Sequence, residues 1–174
     1  MSESPRKLKP KSVTKVVLDT NILVSSLLAE DGNCATILKL VMKRKILIFY
    51  NAEILEEYRR VLNYPILSFE PHRIGTHLNL ILRKGFVMNP KKSTIKMTDE
   101  SDRVFYDLHK TAGAILITGN AKHYPNEKSI MNPADFLAKQ MGLKFSVKGK
   151  KQSHETSRTG TVVRNGKISK PLTP

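Results

Sequence analysis

An apolar run at 16–18 ends directly in Asp19, and this arrangement constrains the fold of the chain more than any other feature. A continuous apolar run of this length is typical of a strand that is buried on both faces of a sheet. The apolar stretch 22–28 follows at once and predicts a helix, with Thr20 placed to cap its first turn. In an open α/β sheet, ligands bind outside the carboxyl ends of the strands, which is where Asp19 would lie.

The same alternation continues along the chain. Further short apolar runs predict strands at 46–50, 86–88, 114–117 and 130–131. Apolar residues at helical spacing predict helices at 35–44, 52–63, 76–84, 99–112 and 133–141, while 66–75 is predicted to be irregular. Strands that alternate with helices favour a parallel sheet between helical layers, so the predicted fold class is α/β.

The chain divides by composition into one domain and two basic termini. Of the formal net charge of +15, residues 1–12 carry four Lys or Arg against one acid, and residues 144–174 carry eight against one. We interpret 1–14 as a flexible basic lead-in, 15–143 as one folded domain, and 144–174 as a basic, disordered tail. Such a charge favours polyanionic partners, nucleic acid first, although two solvated tails would also account for it.

Composition argues against several other classes of protein. A single cysteine, Cys34, leaves no disulfide framework and no cysteine-rich zinc site. No apolar run approaches the ~20 residues of a membrane span, and the polar N-terminus lacks the features of a signal peptide. We therefore expect a cytoplasmic protein that makes no membrane contact.

The predicted helix 52–63 carries an acid that would join Asp19. Glu57 borders the apolar stripe of this helix and so has a reason to face a cleft. Glu56 points away from that stripe and lies four residues before Arg60, a spacing that suits a surface ion pair. The alternative, that all glutamates of this helix are solvated surface carboxylates, stays open at this point.

The predicted helix 99–112 begins with two acids, Asp99 and Asp102. Both positions suit the N-terminus of a helix, where side-chain carboxylates cap backbone N–H groups and interact favourably with the helix dipole. Asp102 also lies three residues before Phe105 and therefore borders the buried face. Asp102 is accordingly the stronger candidate for a functional site, and Asp99 the weaker.

A third polar cluster, Thr118-Gly119-Asn120, ends a predicted strand as Asp19 does. Gly119 permits the close approach of backbone to a ligand, and Asn120 offers a neutral amide oxygen. Carboxylates that converge at strand ends repel one another unless a cation lies between them, and Mg²⁺ or Mn²⁺ prefers oxygen ligands. The pattern therefore indicates metal-assisted phosphodiester hydrolysis.

Five motifs, in order, resemble the PIN-domain ribonucleases, and closely the toxin component of prokaryotic toxin–antitoxin systems. They are VLDTN at 17–21, EILEEYRRVL at 53–62, DESDRVF at 99–105, ITGNAKHYP at 117–125 and PADFL at 133–137. The resemblance implies a three-layer α/β/α sandwich with a mainly parallel central sheet and Mg²⁺- or Mn²⁺-dependent cleavage of single-stranded RNA. It also implies an antitoxin protein as partner and a homodimer.

By the same resemblance, Asp19, Glu57 and Asp102 are the catalytic acids and metal ligands. The family's fourth acid usually follows Thr-Gly, and this chain departs from the pattern with Asn120, a weaker ligand. The residues expected to support these ligands are Thr20, Asn21, Asp99 and Thr118, and those expected to contact the RNA are Lys122 and His123.

Two other functions fit parts of the pattern. A haloacid-dehalogenase-like phosphatase also begins with a strand that ends in an aspartate. It needs a second acid two residues later as proton donor, and this chain has Asn21 there. A PIN-like RNA-binding module that has lost turnover stays open, because Asn120 stands in the place of an acid.

Overall fold

The computed structural model of the protein describes residues 13–142, and their strands form one parallel sheet. The strands are β1 (Thr14–Leu18), β2 (Ile46–Tyr50), β3 (Phe86–Val87), β4 (Ile115–Ile117) and β5 (Ile130–Met131). Their order across the sheet is β3-β2-β1-β4-β5, and all four pairings are parallel. The α/β class and the parallel sheet predicted from the sequence are confirmed.

Helices connect and flank these strands. Within residues 13–142 they are α1 (Thr20–Leu28), α2 (Asn33–Met42), α3 (Ala52–Leu62), α4 (Pro71–Lys84), α5 (Arg103–Ala112) and α6 (Pro133–Gln140). Single 3-10 turns lie at Pro65–Leu67, Glu100–Asp102 and Ala121–His123. No helix of this described part combines the length and the apolar character that a membrane crossing requires.

The connectivity places helices on both faces of the sheet. From β1 the chain moves through β2 to β3 in one direction, and it then crosses back to β4 and β5. Since such crossovers are right-handed, the helices between β1 and β3 lie on one face and α5 on the other. Accordingly, α5 packs on β1, β2 and β4, while α6 packs against α2. The result is the predicted three-layer α/β/α sandwich.

The strands β1 and β4 are adjacent in the sheet. The chain continues from β1 to β2 on one side of this pair and from β4 to β5 on the other. Leu18 pairs with Ile117 in register, and the backbone N–H of Asp19 donates to the carbonyl of Ile117 at 3.0 Å. Asp19 and Thr118 are therefore adjacent where the two strands end. This is the topological switch point of the sheet, the position at which open α/β sheets bind ligands.

Helix α3 crosses the carboxyl edge of the sheet. It begins at the end of β2, where the side chain of Asn51 accepts the N–H of Ile54 at 2.9 Å and caps the helix. Two turns later the buried hydroxyl of Tyr58 donates to the carbonyl of Leu18, the last residue of β1. This path carries the neighbouring Glu57 to the switch point.

The structure corrects several of the predicted element boundaries. α2 begins at Asn33 rather than at 35, and α5 begins at Arg103, after a 3-10 turn, rather than at 99. The N-cap of α1 is Asp19, whose side chain accepts the N–H of Asn21, and Thr20 is the first helical residue with its hydroxyl used elsewhere. The segment 66–75 is not irregular throughout, because α4 begins at Pro71, and proline suits the first helical position. The basic segments assigned to 1–12 and 144–174 lie outside the described residues.

Candidate functional site

Asp19 is held at the switch point by donors from three directions. Its Oδ1 accepts the backbone N–H of Asn21 at 3.3 Å. Its Oδ2 accepts the hydroxyls of Thr118 at 2.6 Å and Tyr124 at 3.2 Å. Burial raises the pKa of Tyr124 far above its ordinary value, so this phenol stays protonated and acts as a donor. The carboxylate is therefore both buried and fixed in orientation.

Asn21 joins the ends of β1 and β4. Its Nδ2 donates to the hydroxyl oxygen of Thr118 at 3.3 Å, and its Oδ1 accepts the backbone N–H of Gly119 at 2.9 Å. A Cβ added at Gly119 would come within 3.3 Å of that same Oδ1, which favours glycine here. The N–H of Asn120 donates to Thr118 at 2.9 Å. The hydrogen bonds of Asn21 thus hold the Thr-Gly-Asn turn against the first turn of α1.

Glu57 is tied to the site through the residue after Asp19. The hydroxyl of Thr20 donates to Oε1 of Glu57 at 2.6 Å. Burial raises the pKa of the Glu57 carboxyl, the hydrogen bond from Thr20 opposes the rise, and the negative charge of Asp19 adds to it. By contrast, Glu56 is exposed and pairs with Arg59 at 2.8 Å, not with Arg60 as its spacing suggested.

Asp99, Asp102 and His123 form a second group beside Asp19. One ligand atom from each of the three lies within 4.8 Å of the other two. Nδ1 of His123 is 2.9 Å from Oδ2 of Asp102, and its Nε2 is 3.0 Å from the amide Nδ2 of Asn120. Since a carboxylate only accepts and an amide nitrogen only donates, Nδ1 carries the ring proton and Nε2 a lone pair.

The two aspartates of this group have opposite electrostatic surroundings. Burial raises the pKa of the half-buried Asp102 carboxyl, and the hydrogen bond from His123 opposes that rise. Asp99 is exposed, and its Oδ1 accepts both the N–H of Ser101 at 2.9 Å and the Ser101 hydroxyl at 2.8 Å. These donors lower the pKa of Asp99. Asp99 therefore caps the 3-10 turn that leads into α5 while facing the group.

These side chains line one cleft of about 290 Å³. The lining residues are Asp19, Thr20, Asn21, Val24, Val61, Asp99, Asp102, Asn120 and His123. Glu57 reaches the cleft through Thr20 rather than by lining it. Lys122 lines a neighbouring pocket beyond the same loop.

A larger cavity of about 540 Å³ lies between α1, α2 and α4. Its lining includes none of the residues that meet at the ends of β1 and β4. Of the two carboxylates that line it, Glu30 forms an ion pair with Arg73 at 2.7 Å. Converging polar groups define a reactive site better than volume does. We therefore place the functional site at the smaller cleft.

The donor set of the cleft suits a hard divalent cation. The oxygens of Asp19 and Asp102 provide negative charge at a buried edge, with Asp99 and the amide of Asn120 beside them. Both Asp102 and Glu57 have raised pKa values because burial and neighbouring carboxylates disfavour their ionised forms. A bound cation would remove that mutual repulsion, so the residues present fit a metal site.

A family model described as PIN domain matches residues 15–122, which is more than half of the chain. The chain belongs to the PIN domain family. The model covers the sheet through β4, the three candidate acids and the Thr-Gly-Asn turn. The family assigned from the sequence motifs is therefore confirmed.

Two further proteins are similar to this chain, one in sequence and one in structure. The uncharacterized protein MJ1680 of Methanocaldococcus jannaschii is 29% identical over 113 residues, which are 61% of this chain and 70% of that protein. The crystal structure of PAE2754 from Pyrobaculum aerophilum is similar over 75% of this chain and 91% of its own, with 16% identity and a TM-score of 0.51.

A further solved structure, VapBC2 from Rickettsia felis bound to a DNA fragment from its promoter, is 15% identical. It covers 68% of this chain and 97% of its own, with a TM-score of 0.47. At these identities the solved structures bear on the fold alone, and the agreement in fold rests on PAE2754.

Two tyrosines that shape this PIN domain site have no recognisable role in the sequence motifs. Tyr124 lies in the motif at 117–125 and Tyr58 in the motif at 53–62, and neither motif gives its tyrosine a role at the site. Their hydroxyls hold Asp19 and the carbonyl of Leu18, respectively. The available signal was a tyrosine in a polar loop just after Asn120, but its partner is 105 residues away in sequence.

Proposed function

We propose that this PIN domain is a Mg²⁺- or Mn²⁺-dependent endoribonuclease that hydrolyses phosphodiester bonds of single-stranded RNA. The observation that carries the proposal is the meeting of Asp19 and Asp102, which are far apart in sequence, in one cleft at the switch point of the sheet. Carboxylates held close together at a buried edge repel one another unless a cation is bound, so their convergence supports a metal-binding role.

Asp19 and Asp102 are the residues that we propose to hold the metal, with Asn120 as a weaker neutral ligand. When bound, the cation would neutralise phosphate charge and supply an activated water at neutral pH. The hydroxyls of Thr118 and Tyr124 and the N–H of Asn21 orient Asp19 toward the cleft. Such supporting partners keep a ligand in place while the substrate binds.

We assign Glu57 a role in holding and moving a proton as well as in attracting the cation. Thr20 occupies Oε1, whereas Oε2 accepts no hydrogen bond from the residues between 13 and 142. The raised pKa of Glu57 makes Oε2 a better proton acceptor than an ordinary surface carboxylate. Thr20 therefore sets the direction in which the free oxygen faces.

The charge of the chain supports RNA as the substrate. Residues 13–143 carry 18 Lys or Arg and 13 Asp or Glu, a net of +5, so the folded part is basic without the termini. Lys122 and His123 lie on the loop beside the cleft and are the proposed contacts to RNA phosphates. Basic side chains supply most of the affinity of a protein for single-stranded nucleic acid.

We further propose that the enzyme is the toxin of a toxin–antitoxin pair, acting in the cytoplasm as a homodimer. The support is the resemblance of its five motifs to that toxin component. Expression of the wild-type chain in a host that lacks the antitoxin is expected to arrest growth, and Asp19→Asn to relieve the arrest. Equal growth with both chains would contradict the toxin role and leave the ribonuclease proposal to its own test.

A PIN-like RNA-binding module without turnover is the alternative. It is favoured by one observation, the neutral Asn120 whose amide contacts His123 where the family usually has an acid. This alternative predicts tight RNA binding and intact RNA at every metal concentration.

The deciding assay incubates end-labelled single-stranded RNA with the protein and Mn²⁺ or Mg²⁺. We expect cleavage that EDTA abolishes and that Asp19→Asn or Asp102→Asn reduces by about 10²-fold or more. The matched controls are Asp31→Asn and Glu53→Gln, which remove exposed carboxylates elsewhere and are expected to cleave normally. Undiminished cleavage by both site variants would indicate a contaminant or another site.

A further inference from the structure

Resting on the proposed ribonuclease activity, we propose that Tyr64 and Arg60 form a subsite on which one unpaired base of the RNA stacks beside the cleft. The contacts to RNA that are expected from the sequence, Lys122 and His123, belong to a different loop and would hold phosphates. A stacking surface at the end of α3 would add a contact to a base, and only a single-stranded RNA can supply an unstacked base.

One side of α3 leads from the cleft to Tyr64. Val61 lines the cleft, and Glu57, one turn earlier, is bound to Thr20 of the same cleft. Arg60 follows Glu57 by three residues and therefore lies on the same side of the helix. Tyr64 comes directly after the helix, and its N–H donates to the carbonyl of Val61 at 3.0 Å. Since a helix rises 1.5 Å per residue, Tyr64 lies only ~10 Å along the helix from Glu57.

Tyr64 is an exposed aromatic residue on a fixed backbone. It is 41% exposed, and its carbonyl accepts the N–H of Leu67 at 2.9 Å. Pro65 restricts the residue before it to an extended conformation, and Tyr64 has φ of −62° and ψ of 125°. A group that is already held in place loses little conformational freedom when it binds. The ring can therefore serve as a stacking surface, which accepts any base because every base has a π face.

Arg60 brings a positive charge to the same ring. Its Nη1 donates to the hydroxyl of Tyr64, and its guanidinium carbon lies 5.8 Å from the ring centroid. The guanidinium is thus bound at the hydroxyl end of the ring and keeps further N–H donors for a phosphate. By contrast, the neighbouring Arg59 pairs with Glu56 at 2.8 Å. Stacking aromatic rings and positive charge together are the means by which proteins bind single-stranded nucleic acid.

A second exposed aromatic residue does not share this position. Among residues 13–142, Tyr64 and Phe86 are the aromatic residues among the exposed large hydrophobic ones. The ring of Phe86 stacks on Phe49, with centroids 5.6 Å apart, and β3 is separated from β1 by β2. Tyr64 is therefore the exposed aromatic residue that adjoins the cleft.

The test compares an end-labelled single-stranded RNA with versions that each lack the base at one position along the strand. Affinities are measured by fluorescence anisotropy with the full chain carrying Asp19→Asn, so that the RNA stays intact. We expect one abasic position to weaken binding by roughly tenfold, as for one lost stack. Tyr64→Leu should weaken binding of the intact RNA by the same factor and show no further loss with that abasic RNA.

Two further variants separate the parts of the subsite. Tyr64→Phe keeps the ring and is expected to retain both the affinity and the sensitivity to the missing base. Arg60→Gln is expected to lower the slope of log affinity against log salt concentration by about 0.7, as for one phosphate contact. Arg59→Gln removes the same charge from the adjacent residue and is expected to leave the slope unchanged. Thermal denaturation would verify that each variant is folded.

Two outcomes would overturn the inference, namely an unchanged affinity in Tyr64→Leu, or losses from Tyr64→Leu and from every abasic position that simply add. In both cases the proposed nuclease would stand as long as the wild-type chain cuts RNA with Mn²⁺. Coupling between Tyr64 and one base in a chain whose wild type cuts no RNA would instead support the subsite and contradict the proposed function.

Discussion

The hydroxyl of Thr20 donates a 2.6 Å hydrogen bond to Oε1 of Glu57, so the residue next to Asp19 fixes a second carboxylate from another element. Thr20 is buried in the first turn of α1, and Glu57 lies on α3, which crosses the carboxyl edge of the sheet. The threonine of the Asp-Thr-Asn segment therefore has a defined task, which is to orient the helix acid relative to Asp19.

Removal of this hydroxyl is expected to impair catalysis more than folding. Thr20→Val keeps the shape of the side chain but leaves Glu57 free to rotate. Loss of a partner that orients a site residue typically costs 10–100-fold, so we expect roughly tenfold slower RNA cleavage. Single-turnover kinetics at saturating Mn²⁺ would measure the rate.

The rescue variant for this prediction is Thr20→Ser, which restores the hydroxyl and is expected to recover most of the rate. Thermal denaturation of both variants would report on folding. A Thr20→Val enzyme as fast as the wild type would show that the hydrogen bond has no role in the reaction.

Tyr124 is expected to contribute to both stability and the geometry of the site. Its buried hydroxyl donates to Oδ2 of Asp19, and Tyr124→Phe removes that bond without opening a cavity. We expect a loss of about 1–2 kcal/mol in the free energy of unfolding, since the acceptor is a carboxylate that Thr118 still binds. Urea denaturation would measure it, and Tyr64→Phe, at an exposed tyrosine, is the control.

The raised pKa of Glu57 predicts a pH-dependent stability in EDTA. Because burial disfavours the ionised carboxyl, this group destabilises the fold above its raised folded pKa. This destabilisation disappears below the pKa that the carboxyl has in the unfolded chain, about 4.3, because the carboxyl is then protonated in both states. Glu57→Gln removes the charge and keeps an oxygen for Thr20, so it should raise the Tm at pH 7 and leave it unchanged near pH 4.

The Tm difference between Glu57→Gln and the wild type should shrink as the pH falls through the acidic range. A constant difference would argue against burial as the cause of the raised pKa. Glu53→Gln, at an exposed position of the same helix, is expected to give no difference at either pH. Circular dichroism at a series of pH values would compare all three proteins.

The basic segment 145–174 is predicted to contribute to RNA binding. Nε2 of Gln140 donates to the hydroxyl of Thr14 at 2.9 Å, so β1 begins and α6 ends at the same corner of the domain. Deletion of 145–174 removes seven Lys or Arg and one Glu. We expect weaker RNA binding. We also expect the slope of log binding constant against log salt concentration to become shallower by ~0.7 for each phosphate that the shortened chain no longer neutralises.

Fluorescence anisotropy with single-stranded RNA at several salt concentrations would measure this slope. A tail of equal length in which Gln replaces each Lys and Arg separates the effect of charge from that of length. An unchanged slope with either protein would assign the tail to solubility alone.

The fold followed from sequence because its signals are local. The runs 46–50 and 130–131 appear as strands with the predicted bounds. α4 begins at Pro71 and includes Gly75, inside the segment 66–75 that is predicted to be irregular. Proline is tolerated at the first helical position, and packing of the apolar face of α4 outweighs one glycine.

The site followed from sequence only in part, because its remaining contacts are not local. Positions next to buried helix faces pointed to Glu57 and Asp102. No local pattern reveals that Tyr124 reaches Asp19 or that His123 meets Asp102, since these contacts join residues 105 and 21 positions apart through the folded sheet.

The most direct test of the central claim is a crystal structure of the protein soaked in Mn²⁺, with anomalous diffraction to locate the ion. We expect an anomalous peak in the cleft between Asp19 and Asp102, and its absence from Asp102→Asn crystals soaked in the same way. An empty cleft at a Mn²⁺ concentration that supports RNA cleavage, or ions bound only outside it, would contradict the claim that these carboxylates form the metal site.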